Sequence, residues 1–356
     1  MSSETIPVRD GEELNLINLE SFLRENIKNL PTDPLTVEQF SAGRSNLTYL
    51  LKIGDWEAVL RRPPLGPVPP KAHDMEREFT ILNEISPYFS PAPKPYVFAG
   101  KEQNIIESPF FIMERRHGVV LDTAFPKDVK YTEELGREIS KRMVDTLVAL
   151  HQIDYTKTKL KEMTRPEGFV ERQVNGWIHR YERSKTEELD GIEQLKTWML
   201  NNIPESQNPT IIHYDYKLNN LMFNEDFDYI NGLFDWEMTT VGDPLTDLGV
   251  AMSYWKEDND SSLLKKGTED DPVTTYPGFM TRNEFMEAYA KKSGRDVSNM
   301  NFYLIFSYFK LAVICQQIYF RWKKGQTKDV RFKDLNVYVN NLIQYCVENT
   351  SRNNLT

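Results

Sequence analysis

The hydrophobic period of this chain changes once along its length, and that change limits the fold more than any other feature. Between residues 36 and 62 the apolar residues come in short runs, VEQF, SAGRSNL and TYLLKIG, then a Gly54-Asp55 turn and WEAVLRR. Short apolar runs separated by a turn dipeptide read as antiparallel hairpins. Two further strand candidates lie at 95–99 and 109–113, and between the two groups Met75, Phe79, Leu82 and Ile85 recur at near-helical spacing until Pro87. That pattern predicts one helix over 72–85 against a small sheet. Beyond the polar connector Glu114-Arg115-Arg116-His117-Gly118 the period becomes helical, over 132–153, 169–181, 192–201, 283–292, 301–323 and 334–347. A single β interruption, Leu221-Met222-Phe223, a turn and 229–234, predicts a hairpin inside the helical part. The expected fold class is therefore α+β, a small antiparallel-sheet lobe followed by a mostly helical one.

Length agrees, because 356 residues exceed what one hydrophobic core usually serves. Hydrophobic residues at 40% and charged residues at 27% exclude a largely disordered or membrane-embedded chain. A net charge of −10 repels polyanions, so no nucleic-acid partner is expected. The apolar run 302–315 is too short to span a bilayer and contains Lys310, which reads as a buried core helix with no membrane role. The first residues, MSSETIPVRDGEEL, lack a basic end followed by an apolar core, and Cys315 and Cys346 are too few for a disulfide framework or thiolate metal site. Both features lead to an expectation of a reducing cytoplasm; oligomeric state is left open.

Two polar segments bracket the predicted hairpin, His213-Tyr214-Asp215-Tyr216-Lys217-Leu218-Asn219-Asn220 and Asp235-Trp236-Glu237. Phosphoryl transfer is largely a matter of positioning and charge neutralisation; it needs a carboxylate at the attacking hydroxyl and oxygen ligands for Mg²⁺. Asp215 suits the base or hydroxyl-orienting group, and Asn220 and Asp235 offer the hard oxygens Mg²⁺ prefers. His-x-Asp with Asn five residues after the Asp, followed by an Asp beyond a hairpin, is the spacing of a kinase catalytic loop and metal site. An H-x-D triplet alone occurs by chance in many chains; the hairpin and Asp235-Trp236-Glu237 give this one its weight.

With these motifs the chain resembles the aminoglycoside phosphotransferase, kinase-like family. The resemblance runs from about residue 40 to 255 through FSAGRSNLTYLL, VLRRPP, AHDMEREFTIL, PFFIME, ERQVNGWIHRY, HYDYKLNN and LFDWEMTTVGDPLTDLG. It looks most like the branch that includes the kinase domain fused to some acyl-CoA dehydrogenases. The resemblance implies a protein-kinase-like two-lobe fold: residues 1–113 as the nucleotide-covering lobe, 114–118 as hinge, and 119–356 as the helical lobe with catalytic hairpin and acceptor site. It implies ATP or GTP with Mg²⁺ as cofactors. Arg61 stands where most members have the nucleotide-phosphate Lys, with Glu78 as its ion-pair partner. The loop 41–46, including Gly43, Ser45 and Asn46, would cover the phosphates, and Met113, Glu114 and Arg115 would hold the purine. Lys217 lies where a cation stabilises charge on the transferred group. Tyr214 departs from the family, which usually has Gly after the His.

Other residues have plainer alternatives. His213 reads as a structural residue of the loop, and Asp243 and Asp247 as an N-cap and an exposed helix residue. Arg172, Trp177 and Tyr181, about a turn apart, are candidates for the acceptor pocket together with Glu237, although aromatics at helical spacing usually belong to the core. The acidic runs 257–260 and 269–271 read as solvated loops. The expected function is Mg²⁺-dependent transfer of a γ-phosphate to a hydroxyl of a small acceptor, with hydroxyacyl-CoA, amino alcohol, sugar and aminoglycoside all open. The alternatives are a catalytically weak nucleotide-binding pseudokinase module, motivated by Arg61 and Tyr214, and a metal-dependent hydrolase using His213, Asp215 and Asp235.

Overall fold

The structure, a computed structural model, describes residues 4–41, 46–66, 73–265, 271–327 and 329–351. They form two units, Met1–Gly118 with Asn231–Met238, and Val119–Ile230 with Thr239–Thr356. The first unit contains β1 (Thr5–Ile6), α1 (Leu16–Asn26), β2 (Thr36–Phe40), β3 (Leu47–Ile53), β4 (Trp56–Arg62), α2 (Met75–Ile85), β5 (Pro95–Ala99) and β6 (Phe110–Glu114). The strands make one antiparallel sheet in the order β1-β2-β3-β4-β6-β5. Gly54 takes a left-handed φ of 55° at the β3–β4 turn, which an L side chain resists.

Alternation along the strands sorts the side chains between the two faces of this sheet. Tyr49, Leu51, Ile53, Ala58, Leu60, Phe110 and Ile112 share a core with Leu19, Phe22 and Leu23 of α1. On the other face Phe79 of α2 packs 6.3 Å from Phe111 and 5.9 Å from Phe98. The hydrophobic period does not announce α1. Its buried stripe is only three residues wide, and its start is set by Asn15, whose side chain accepts from the Asn18 N–H, a cap worth about 1 kcal/mol. Segment 231–238 belongs with this unit because Leu233 N–H donates to Pro91 O at 2.8 Å and Trp236 packs edge-on to Phe89 at 6.0 Å. The boundary expected from sequence placed that segment with 119–356; in the structure its contacts with Pro91 and Phe89 group it with the first unit.

The second unit contains β7 (Val119–Val120), α3 (Glu133–His151), α4 (Leu160–Met163), α5 (Phe169–Ser184), α6 (Ile192–Asn201), β8 (Thr210–Ile212) and β9 (Leu221–Phe223). Through β10 (Ile230–Leu233) the chain passes into the first unit. It returns for β11 (Thr240–Gly242), α7 (Pro244–Tyr254), α8 (Ser262–Lys265), α9 (Arg282–Ser293), α10 (Met300–Lys323) and α11 (Leu335–Asn349). Asn224 N–H donates to Tyr229 O where the chain doubles back after β9. The helix α10 is long and apolar enough to cross a membrane by length and composition, yet 83% of its most apolar window is buried, against α5, α7 and α11. Both cysteines are free and buried. One acidic run is solvated only in its middle. The Asp260 side chain is 5% exposed and takes the Arg282 guanidinium on both oxygens at 2.6 Å, and Glu257 joins at 3.7 Å, a fork geometry that offsets the cost of desolvation. Glu269 and Asp270 of the other run lie outside the described residues.

Candidate active site

In the first unit the register of β4 puts Arg61 opposite Thr48 of β3 and Phe111 of β6, on the face that α2 covers. Its guanidinium is buried, with Nε 3.2 Å from the Glu78 carboxylate and a terminal nitrogen 2.6 Å from Asp235 Oδ1. Burial works to lower the Arg61 pKa, but Glu78 and Asp235 hold it above the ordinary value. Burial pushes the Glu78 carboxyl up to about 7, and Asp235 and Glu237 add to this against the pull of Arg61. Asp235, more exposed, adopts a left-handed φ of 65°, a conformation that costs a non-glycine residue roughly 1–3 kcal/mol. Strain of that size marks a residue whose direction is imposed by its surroundings.

Arg61→Met is expected to lower stability more at pH 8 than at pH 6. Without the guanidinium, buried Glu78 escapes its charge only by binding a proton. The variant then holds a proton that the unfolded chain lacks above about pH 4.3, and its stability falls by up to roughly 1.4 kcal/mol per pH unit as pH rises. Urea midpoints at the two pH values measure this, and an equal loss at both refutes a buried charge pair.

Glu237, grouped in the sequence reading with the acceptor residues, bonds instead to Asn46, His73 and Arg77. Asn46 Nδ2 donates to its carboxylate at 3.2 Å, the His73 ring lies at 3.7 Å, and Arg77 donates to its carbonyl at 2.9 Å. Asn46 Oδ1 is in turn 2.8 Å from His73 Nδ1. Gly43 and Ser45 lie outside the described residues. Met113 is buried in β6; Glu114 accepts from Lys94 N–H at 3.1 Å and pairs with Arg116; Arg115 pairs with Glu4 and lies 4.8 Å over the Phe40 ring. Nothing in the sequence pattern pointed to His73 or Arg77.

In the second unit the loop after β8 carries Asp215, Lys217 and Asn220 together. Lys217 Nζ is 2.8 Å from Asp215 Oδ2, and Asn220 Nδ2 donates to the same oxygen at 2.9 Å and to the Asp215 carbonyl at 2.8 Å. Two donors therefore orient the carboxylate, and Asn220 turns its Oδ1 away from it. His213 is fully buried, and its Nδ1 accepts from Asp215 N–H at 3.3 Å, a structural role.

Asp247 is not the exposed helix residue its position suggested. It is fully buried and accepts from His213 N–H at 2.7 Å and Tyr214 N–H at 2.8 Å, with His151 Nε2 at 3.3 Å. Burial works to raise its pKa, but His151, His213 and the backbone bond hold the carboxyl below the ordinary value. The signal was available in the sequence: Asp247 is flanked by Leu245, Leu248 and Val250, and α7 is buried on every side. Asp243 is the N-cap expected, accepting from Leu245 N–H, and also takes the Tyr303 hydroxyl at 2.9 Å.

Tyr181 is a core residue, 1% exposed and packed on Phe309; Trp177 is buried beneath Arg180 at 4.3 Å; Arg172 donates to the carbonyls of Arg165 and Glu167. These three do not line the cleft that opens beside Lys217. That cleft, of ≈ 160 Å³, is lined by Lys217, Asn219, Tyr254, Trp255, Lys256 and Thr274 among others. It is built by α7 and the following loop rather than by α5, because α5 turns its aromatics inward. Thr274 Oγ1 is buried without a hydrogen-bond partner among the described residues, a group that a bound molecule would satisfy.

Comparison with known proteins adds four findings. Mouse acyl-CoA dehydrogenase family member 11 is 30% identical over 331 residues, covering 91% of this chain and 42% of the relative, so the chain spans about two fifths of that protein's length. A Ralstonia eutropha chain described as a "putative aminoglycoside phosphotransferase" superposes with a TM-score of 0.81 at 26% identity, covering 96% of this chain and 99% of that one. A thermostable mutant of aminoglycoside phosphotransferase APH(4)-Ia, in ternary complex with AMP-PNP and hygromycin B, shares the fold at 15% identity and a TM-score of 0.57, over 94% and 99% of the two chains. The family model described as "Phosphotransferase enzyme family" matches residues 36–277, through the Arg61 strand, the His213-Tyr214-Asp215 loop and the Asp235 segment. A match over more than half of the sequence that takes in every one of these segments leads to one conclusion: this chain belongs to the phosphotransferase enzyme family.

Proposed function

We propose that this chain transfers the γ-phosphoryl group of ATP to a hydroxyl of a small-molecule acceptor, with Asp215 as the group that receives the hydroxyl proton. The observation that carries the reading is the setting of Asp215. A carboxylate pinned by Lys217 and Asn220 stands one salt bridge from a cleft whose wall holds a threonine hydroxyl with no partner among the described residues. Asp215 takes the proton as the acceptor oxygen bonds to the γ-phosphorus and the bond to the β,γ-bridging oxygen breaks. Lys217 offsets the negative charge on the transferred group. Arg61, with Glu78 behind it, offers a rigid fork to phosphate oxygens. Mg²⁺ takes one or two protein oxygens and completes its shell with phosphate and water; the Asp235 carboxylate of the first unit and the Asn220 side-chain carbonyl of the second are each oxygens of the kind it prefers. When bound, the ion neutralises phosphate charge. The AMP-PNP bound by the APH(4)-Ia relative supports a nucleotide donor.

The test is ADP release from MgATP over a panel of alcohols that includes amino alcohols, sugars, aminoglycosides and hydroxyacyl-CoA esters. Acceptor-dependent release is expected, and none with any acceptor refutes the proposal. A nucleotide-binding module without turnover is the second reading, favoured by the 2.6 Å bond that engages Asp235 with Arg61; it predicts MgATP binding with no ADP formed. Asp235→Asn is expected to weaken MgATP binding about 10- to 100-fold, the usual loss when a metal site's carboxylates are altered. Its affinity for ATP without Mg²⁺ should stay near the wild-type value. Calorimetric titration with and without the metal measures both, and an equal loss in the two titrations contradicts a metal role.

A further inference from the structure

We propose that Lys310 of α10 is a positioning residue for the Asp215 loop, holding residue 214 in its left-handed conformation by bonding the Tyr214 carbonyl. The proposal rests on the reading of Asp215 as the proton acceptor, and it concerns a residue far along the chain that the motifs do not include. Tyr214 has a φ of 66°. A bulky L residue pays for that conformation in steric clash, where a glycine would not. Two buried groups of opposite charge offset the clash from the two ends of the residue. Asp247 on α7 receives the Tyr214 N–H at 2.8 Å, and Lys310 Nζ donates to the Tyr214 carbonyl at 2.8 Å.

Lys310 is only 2% exposed, and its ammonium also lies 4.0 Å from the centre of the Tyr214 ring and 5.8 Å from that of Trp177. A buried ammonium is costly unless paired, and among the described residues no carboxylate is within salt-bridge distance of it. Its partners are the carbonyl and the two ring faces, so most of what retains the charge is the loop itself. The Tyr214 ring is fixed at its far end by the hydroxyl, which donates to Gln173 Oε1 at 3.1 Å. The next peptide carries Asp215, so a change at the Tyr214 carbonyl re-aims that carboxylate.

Titration gives this arrangement a signature. Burial lowers Lys310 to about 8, with Asp215 and Asp247 pulling it up and Lys217 and Arg180 pushing it down; the Tyr214 phenol, itself raised by burial, faces it too. Because the folded value is lower than the unfolded one, the unfolded chain binds the extra proton from about pH 8 to about 10.4, and global stability rises over that window. The neutral amine meanwhile loses its attraction to the ring faces, so the loop loosens as the protein becomes more stable.

The experiment compares wild type, Lys310→Met, Lys310→Gln and the double variant Lys310→Met with Tyr214→Gly, by hydrogen exchange of peptides spanning 213–216 and by steady-state hydrolysis of MgATP. Methionine removes the charge at similar length, a change that buried sites often tolerate; glutamine keeps a donor, and serves if the methionine variant does not fold. Lys310→Met is expected to speed exchange over 213–216 by roughly 10-fold or more, and to lower kcat about 10- to 100-fold with KM for ATP little changed. Tyr214→Gly in the same chain should restore most of both, since glycine needs no clamp, and Lys310→Gln should fall between. The wild-type kcat should decline above about pH 8, and that limb should be missing in Lys310→Met. Unchanged exchange at 213–216 in both single variants, or no recovery with Tyr214→Gly, overturns the proposal. A wild type that does not turn over MgATP counts against the phosphotransfer reading alone, and the exchange data still decide the role of Lys310.

Discussion

Asp215→Asn is expected to lower turnover by about 10²- to 10⁴-fold, the range that general-base catalysis contributes, while leaving MgATP affinity close to wild type. The substitution is isosteric, and the bonds that hold the loop's backbone amides do not use the Asp215 carboxylate. His213 Nδ1 still accepts the backbone N–H of residue 215, and Asp247 still binds the two amides before it. Lys217 and Asn220 would meet an amide oxygen where they now meet Oδ2. What disappears is the ability to accept a proton. Initial-rate kinetics and calorimetric titration of MgATP separate the two quantities. A comparable loss in affinity would move Asp215 from the chemistry to the binding of nucleotide, and full activity would remove it from the mechanism.

Asp247→Ala is expected to destabilise the chain by about 3–5 kcal/mol, as breaking a buried charged network does. Each of its oxygens is committed: His213 N–H and Tyr214 N–H lie at 2.7 and 2.8 Å, and His151, itself held by the Tyr289 hydroxyl at 2.7 Å, approaches at 3.3 Å. Alanine leaves two buried amides without an acceptor, at about 1–3 kcal/mol each. Urea unfolding should show a lower midpoint at an unchanged slope. The pH dependence has a definite sign. The folded carboxyl titrates below its unfolded value, so its contribution is complete above about pH 4 and is lost as pH falls through the folded pKa. The variant should therefore have a shallower acid-unfolding limb. A loss of unfolding free energy under about 1 kcal/mol would mean that the loop amides find other partners.

The sheet and the helices were legible because their apolar spacing repeats every two residues or every turn, and the strands β2, β3 and β4 lie within the alternating run at 36–62. α1 was not, since three buried side chains among polar ones make no clear stripe. The candidate residues Asp215, Asn220 and Asp235 stood out by their spacing around a hairpin. The partners of Asp247, Lys310 and His73 did not. Each of these three acts on a backbone or side-chain atom distant in sequence, Lys310 on Tyr214 across 96 residues and His73 on Asn46 across 27, and no local pattern encodes such a pairing. The burial of Trp177 and Tyr181 on α5 was hidden for a related reason: helical spacing shows which side chains share a face, but not whether that face turns to the core or to a cleft.

The sequence by itself determined the α+β class, the order of the sheet part and the helical part, and which short segments are candidates for the chemistry, because hydrophobic period and local motif spacing are properties of neighbouring residues. Only the tertiary structure decided that 231–238 packs with the first unit, that Glu237 bonds to Asn46, and that buried Asp247 and Lys310 grip one strained residue from either end. Those outcomes depend on burial and on contacts between remote segments, where desolvation turns an ordinary aspartate or lysine into a group that must find a partner.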